Sequence, residues 1–228
     1  MSEPKTLEPI MPDPIDTYWQ LHLEKCKKAL EKNNFEVFVA DEIQSAGAIF
    51  LNEILPGIEV KTAAWGDSMT FLATGVMGVI KADTGIQMID PFDAQASPEE
   101  RLARRRQALL TDLFFTGSNA VTETGLLVNL DMVGNRVAGI TFGPRHVVLF
   151  IGRNKIVPTL DDAMQRVKRY AAPANAIRHP GLKTPCMKTA VCADCSSPDR
   201  ICNTWCITEK SFPKGRIKII LVNQDLGL

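Results

Sequence analysis

Five of the six cysteines lie between Cys186 and Cys206. The Cys192-Ala193-Asp194-Cys195 pair holds two thiols two residues apart, close enough for both to reach one ion. Cys186 and Cys202 would complete a four-thiolate set suited to Zn²⁺ or an iron–sulfur cluster. The spacing is neither the doubled CxxC of a zinc ribbon nor a bacterial ferredoxin run, so both occupants stay open. Two other readings compete: reduced thiols buried in the fold, and a disulfide switch. Cys206 is a spare, readable as a fifth ligand, a replacement or a core residue. His179 could ligate, but a lone loop histidine is more often solvated.

Glu123 offers a different chemistry. In Thr122-Glu123-Thr124-Gly125 it stands between two apolar runs, where a carboxylate can act as nucleophile or general base and Gly125 admits close backbone approach. The alternative is a carboxylate that caps a turn or pairs with Arg136 or Lys155. Asp131 reads more simply, as a turn-former ahead of Gly134-Asn135. A third group could hold an anion. Gly66-Asp67-Ser68-Met69-Thr70 and Thr116-Gly117-Ser118-Asn119 are small-residue turns whose NH groups and hydroxyls face outward at strand ends, and Lys155 follows a further apolar run. Each turn is ordinary strand–helix punctuation when taken alone, with Ser68 as an N-cap. Together, Gly66, Ser68, Thr70, Ser118, Asn119 and Lys155 describe a crevice for a carboxylate, a phosphate or a CoA ester.

The elements that would position these groups are legible as periodicity. Residues 16–32 carry Trp19, Leu23, Cys26 and Leu30 at helical spacing, with Ile15 just ahead. Phe35, Val37 and Val39 alternate as a strand. Asp41-x-x-Gln44 opens a second helix that Pro56-Gly57 ends. Residues 60–65 and 86–89 read as strands, and Ser97-Pro98-Glu99-Glu100 caps a helix running to about Thr111. Its Arg101, Arg104, Arg105 and Arg106 read first as a solvated face and second as an anion patch. Residues 112–157 hold short runs rich in Val, Leu, Ile and Phe, within Leu113–Ala120, Leu126–Asp131 and His146–Gly152, each bounded by Gly, Asn, Ser or Pro. Their near-continuous hydrophobicity is that expected of strands covered on both faces in a parallel sheet. Thr159-x-x-Asp162 caps a helix that Pro173 should close. Residues 175–213 then form a long loop holding the cysteines, and residues 216–222 supply a last strand. The expected fold class is α/β: an open, largely parallel sheet flanked by helices, with a Cys-rich loop before the last strand.

The bulk composition narrows the partners. The chain has 228 residues, 45% hydrophobic and 23% charged, with 26 basic and 26 acidic side chains. Such a balance gives no footprint for nucleic acid or acidic lipid, and no apolar run is long enough to span a bilayer. Residues 1–14 are polar and Pro-rich, which suggests a flexible N-terminal arm on a single cytoplasmic domain covering 15–228. Cysteines clustered in a reducing compartment favour metal over disulfides.

As a set, several segments resemble the lactate-utilisation (LUD) domain family. They are Trp65-Gly66-Asp67-Ser68-Met69-Thr70, Gly117-Ser118-Asn119-Ala120-Val121-Thr122-Glu123-Thr124-Gly125, Gly134-Asn135-Arg136-Val137-Ala138, Gly143-Pro144, Gly152-Arg153-Asn154-Lys155-Ile156-Val157 and Leu221-Val222-Asn223-Gln224-Asp225-Leu226-Gly227. Thr184-Pro185-Cys186, Cys192-x-Asp194-Cys195 and Arg200-Ile201-Cys202-Asn203 are similar to its cysteine-bearing branch; Trp205 and Cys206 depart from that pattern. The resemblance implies the fold of glucosamine-phosphate isomerases, ribose-phosphate isomerases and CoA transferases. Within that superfamily the early Gly/Ser/Thr turn binds anionic substrate, and a glutamate before a glycine is the CoA-transferase nucleophile, a context similar to Glu123. The resemblance also implies a place beside iron–sulfur subunits of a lactate-oxidising system. Three functions are therefore expected in turn: an accessory or metal-carrying subunit, an enzyme using Glu123, and a ligand sensor without turnover.

Overall fold

In the computed structural model, which describes residues 13–82 and 85–228, the strand at His146–Gly152 (β7) lies at the centre of the main sheet. Its alternation explains why the sequence there is apolar throughout. Val147, Leu149 and Ile151 point into one core, whereas Val148 and Phe150 point into the other. The six strands run in the order β1 (Glu36–Ala40), β10 (Ile217–Val222), β7, β4 (Leu113–Thr116), β2 (Thr62–Trp65) and β3 (Gln87–Ile89), with every pairing parallel. All six therefore end at the same edge. The fold class is α/β, with a largely parallel sheet flanked by helices and the cysteine region ahead of the final strand.

Helix α1 (Pro14–Lys32) covers one face through Leu23, Cys26 and Leu30, while Ile15, expected to extend that stripe, is exposed. Asp13 caps it by accepting from the Ile15 N–H at 2.7 Å. The suggested arm at 1–14 otherwise lies outside the described residues. Helices α2 (Ile43–Ile49), α3 (Met69–Ala73) and α4 (Val76–Ala82) cover the opposite face, where Phe71 stacks on Phe115. The cap of α2 is shifted by one residue from the expected box: the Glu42 N–H donates to Ser45 Oγ. Helix α5 (Pro98–Gln107) has the expected Ser97/Glu100 box but stops before Thr111, continuing as a single 3₁₀ turn.

Three expectations differ from the structure. Leu127–Asp131 (β6) is buried as predicted but belongs to a second sheet, ordered β8 (Ile156–Val157), β5 (Ala120–Thr122), β6 and β9 (Thr204–Thr208). Strands β5 and β6 form an antiparallel hairpin whose turn uses Gly125 at φ +86°. Pro173 does not close the helix begun at Thr159. Helix α7 (Leu160–Arg166) widens into a π turn at Val167–Ala171 and continues as α8 (Ala172–Arg178). Proline lacks an N–H and its ring crowds the carbonyl four residues back, so a wider turn just before it relieves the clash. The same device precedes Pro56, where Phe50–Ile54 is π-helical. Finally, residues 175–213 are not a structureless loop: they contain the end of α8, α9 (Cys186–Thr189) and β9.

Candidate functional site

A cavity of about 550 Å³ opens at the edge where the parallel strands end. Each strand end brings its own turn. After β2 come Gly66, Asp67 and Ser68, after β4 come Gly117, Ser118 and Asn119, and beyond β7 comes Lys155. The glycines are there because the strand ends crowd together. A Cβ on Gly117 would meet Ser68 Oγ at 2.9 Å and the Phe150 carbonyl at 3.3 Å, and one on Gly66 would meet Phe114 Cζ at 2.8 Å. Asp67 holds φ +53° and pairs with Arg178 of α8, fixing an uncommon backbone geometry at the cavity wall.

The polar side chains divide between holding the site and facing it. Ser68 Oγ accepts from the Phe71 N–H at 3.1 Å and so caps α3 while also lining the cavity. Ser118 Oγ donates to the Ala120 carbonyl at 2.8 Å. Asn119 Oδ1 accepts from the Leu130 N–H and from the Arg136 guanidinium, locking the turn onto β6. Thr70 does not line the cavity; it stands behind the wall and receives a hydrogen bond from Lys155 Nζ at 3.3 Å. Lys155 is 5% exposed and has no carboxylate partner among the described residues. Burial, with Arg166 and Arg136 nearby, pulls its ammonium down to about 7.

Sequence reasoning missed several lining groups. Arg101 and Arg105, read first as a solvated face, line the cavity from α5, and Arg105 lies over the Phe92 ring at 5.4 Å. Their spacing of one helical turn puts them on one face, but it does not say whether that face meets water or a cavity. Arg104, by contrast, is tied to Asp93 at 2.9 Å. Arg136 and Asp131 also line the cavity and pair at 2.9 Å. Asp131 is more than a turn-former, since Oδ2 accepts from the Arg136 and Val137 N–H groups and caps α6 (Asn135–Thr141). His179 lines the cavity beside Arg178, and burial and that guanidinium hold its imidazolium below the usual value.

Glu123 is not among the cavity residues. It lies in the β5–β6 turn, where its carboxylate pairs with Lys25 and with His22 Nδ1 at 2.8 Å, both on α1. The hydrogen bond from Lys25 leads the effects holding its carboxyl below the usual range. Neither Arg136 nor Lys155, its suggested partners, reaches it. Beneath it Cys26 is fully buried, which pushes its thiol up to about 12 and leaves it inert.

Cys186, Cys192, Cys195 and Cys202 line one small cavity of about 20 Å³. Such a volume admits about one water or ion, and four of its lining residues carry sulfur, a set that suits a soft or borderline cation, beside Thr184 and Asp194. In the arrangement described, no group of three His, Cys, Asp or Glu among the described residues stands ready to hold a metal. A single ion would thus need the four thiols to draw inward. Asp194 bridges Lys168 and Arg200, and the Arg200 guanidinium donates to the Cys195 and Cys202 carbonyls, bracing the segment from outside. Cys206 is elsewhere, on β9, within 3.3 Å of Thr141 Oγ1. The two cavities share a wall: Ala172 and Ile201 line both.

A family model described as the LUD domain matches residues 23–222. The chain is similar to a solved structure of a DUF162 family protein from Deinococcus radiodurans, at 13% sequence identity and TM-score 0.46, over 94% of this chain and 99% of that one. No curated protein matches.

Proposed function

The chain belongs to the LUD domain family, the lactate-utilisation type, and from that premise we propose that it binds a small organic anion at the edge of its parallel sheet and serves lactate oxidation as an accessory, metal-carrying subunit in the cytoplasm. One observation carries the anion-binding part. Lys155 is buried at the cavity wall without a carboxylate to neutralise it, beside Ser68, Gly117 and Asn119. A buried cation is costly unless something pairs with it, and an incoming carboxylate or phosphate supplies that partner. Gly66, Ser68, Ser118 and Asn119 shape the receptacle, with Thr70 orienting the ammonium from behind.

The metal-carrying part draws on the four cysteines that share one cavity. Four thiolates suit Zn²⁺ or an iron–sulfur centre, and Zn²⁺ held by Cys186, Cys192, Cys195 and Cys202 is the simpler occupant to test. Bound there, the ion would cross-link α9 to the segment leading into β9 and fix the neighbouring cavity wall. The partners would be the other subunits of a lactate-oxidising complex. Among the described residues no helix is long and apolar enough to cross a membrane. A nucleophilic Glu123 would have to leave Lys25 and His22 to meet a substrate, and no feature of the cavity favours that route. Sensing without turnover differs from the accessory role in needing no partner subunit.

Calorimetric titration with L-lactate, pyruvate and inorganic phosphate tests the binding, alongside metal analysis of anaerobically purified protein. We expect binding that Lys155→Met abolishes and Glu123→Gln spares, with about one zinc per chain that is lost in Cys192→Ser. Undiminished binding by Lys155→Met would sink the anion reading, and a metal-free protein the other half.

A further inference from the structure

Not every cation facing the large cavity is free to meet a ligand. Arg136 is matched by Asp131 and Arg178 by Asp67. Setting those pairs aside leaves Lys155 beyond β7 and the two α5 arginines, Arg101 and Arg105. Among the described residues neither arginine has a carboxylate partner, and the Arg105 Nε is buried without any hydrogen bond. A buried guanidinium nitrogen left without an acceptor is unusual in a folded protein. The Arg104–Asp93 pair, together with the Arg104 hydrogen bond to the Asp90 carbonyl, fastens α5 to the segment carrying Phe92, so the two arginines are presented from a fixed support.

The uncompensated positive charge therefore has two poles on different elements. Lys155 follows β7, whereas α5 follows β3, and β4 and β2 lie between those strands in the sheet. The Lys155 ammonium reaches Thr70, beyond β2, at 3.3 Å, whereas Arg105 lies over Phe92, beyond β3. A ligand that meets both poles therefore needs two separate anionic or polar ends. A cavity of about 550 Å³ also falls within the roughly 300–1,000 Å³ range of sites for drug- or cofactor-sized ligands, far more room than a three-carbon acid fills. Two guanidinium forks one turn apart suit a phosphate, which accepts several planar N–H donors at once.

We propose that the occupant of this cavity is an elongated organic phosphate, its phosphate held by Arg101 and Arg105 and its carboxyl or thioester head held at Lys155. The proposal rests on the anion-binding reading of the same cavity and adds a second subsite to it. Phe92 forms the flat wall beside the phosphate pole, stacked under Arg105. The ligand could be a short phosphorylated acid or a long acyl carrier, since both combine a phosphate with a carboxyl-derived head.

Titration of the full chain with L-lactate, 3-phosphoglycerate and acetyl coenzyme A separates these cases. At least one phosphorylated probe should bind about tenfold or more tightly than lactate; the short one identifies a phosphorylated acid, the long one an acyl carrier. The Arg101→Gln/Arg105→Gln double variant should erase that advantage while leaving lactate affinity within about twofold, and Arg106→Gln, on the exposed side of the same helix, should change neither. A thermal melt confirms that each variant is folded, and Arg101→Gln alone serves if the double variant is not. Lactate binding as tightly as both phosphorylated probes would overturn the second subsite and leave the Lys155 site standing. Equal weakening of every probe by the double variant would also overturn it. No binding by any probe would remove both readings together.

Discussion

Lys155 concentrates the competing demands on this fold at one atom. Its stem lies among the ends of the central strands, its Nζ has Thr70 Oγ1 for company, and its ammonium is pulled from 10.5 to about 7 by burial. A group whose folded value is depressed binds fewer protons in the native state than in the unfolded chain. Between about pH 7 and the ordinary lysine value, stability should therefore rise with pH, and the cost of the buried charge is felt in full below about 7. Anion binding should run the other way, because the ligand wants the ammonium: affinity falls as pH rises through about 7, and binding near neutrality takes up a proton. Lys155→Met removes the buried charge with little change in volume, so the variant should melt higher than the parent at pH 6.5 while binding no anion. Melts and titrations from pH 6 to 9 check both slopes. A parent protein that gains no stability across that range would show that the ammonium is solvated after all.

At the scale of elements, the turns decide the site. Gly117 lets the end of β4 pass within van der Waals reach of Ser68 and the Phe150 backbone. Gly117→Ala must push those groups apart, and the carbonyl is backbone that cannot swing away. We expect a loss of about 1–3 kcal/mol in urea unfolding together with weakened anion binding, whereas Gly78→Ala, with open space around it, should lose neither. These turns were legible in the sequence because small residues directly after apolar runs have few other uses. The arginines of α5 were not, since charges one turn apart look the same whether they face water or a cavity. Strand β9 was hidden for another reason: Thr204-Trp205-Cys206-Ile207-Thr208 is a half-exposed edge strand whose pairing with β6 is set by tertiary contact. The β5–β6 hairpin did carry a signal, a glycine three residues past the last strand residue, but near-continuous hydrophobicity on both sides suggested a parallel sheet. The partner of Glu123 could not be read either, because Lys25 and His22 approach from a helix about a hundred residues away in sequence.

Across the whole molecule, the two cavities meet at Ala172 and Ile201. Helix α8 serves both: Ala172 and Pro173 border the cysteine cavity, while Asn175 and Arg178, with His179 just past its end, face the large one. The segment from 183 to 203 is held by few apolar contacts; Ile201 is buried, but most of its side chains are exposed or half-buried. Drawing four thiols onto one ion would tighten that segment and, through Ile201, stiffen the wall that the anion meets. Ordering the wall beforehand spares the anion that entropic cost, so metal and anion should favour each other reciprocally. Titrating the anion with and without Zn²⁺ should show about fivefold or greater tightening in the metal-loaded protein, and the anion should tighten Zn²⁺ by the same factor, as linkage requires. Cys195→Ser should abolish the effect of zinc while leaving the metal-free anion affinity unchanged. Equal anion affinity in the loaded and metal-free proteins would mean that the shared wall is already rigid, and that the thiol cavity stabilises its own segment without speaking to the anion site.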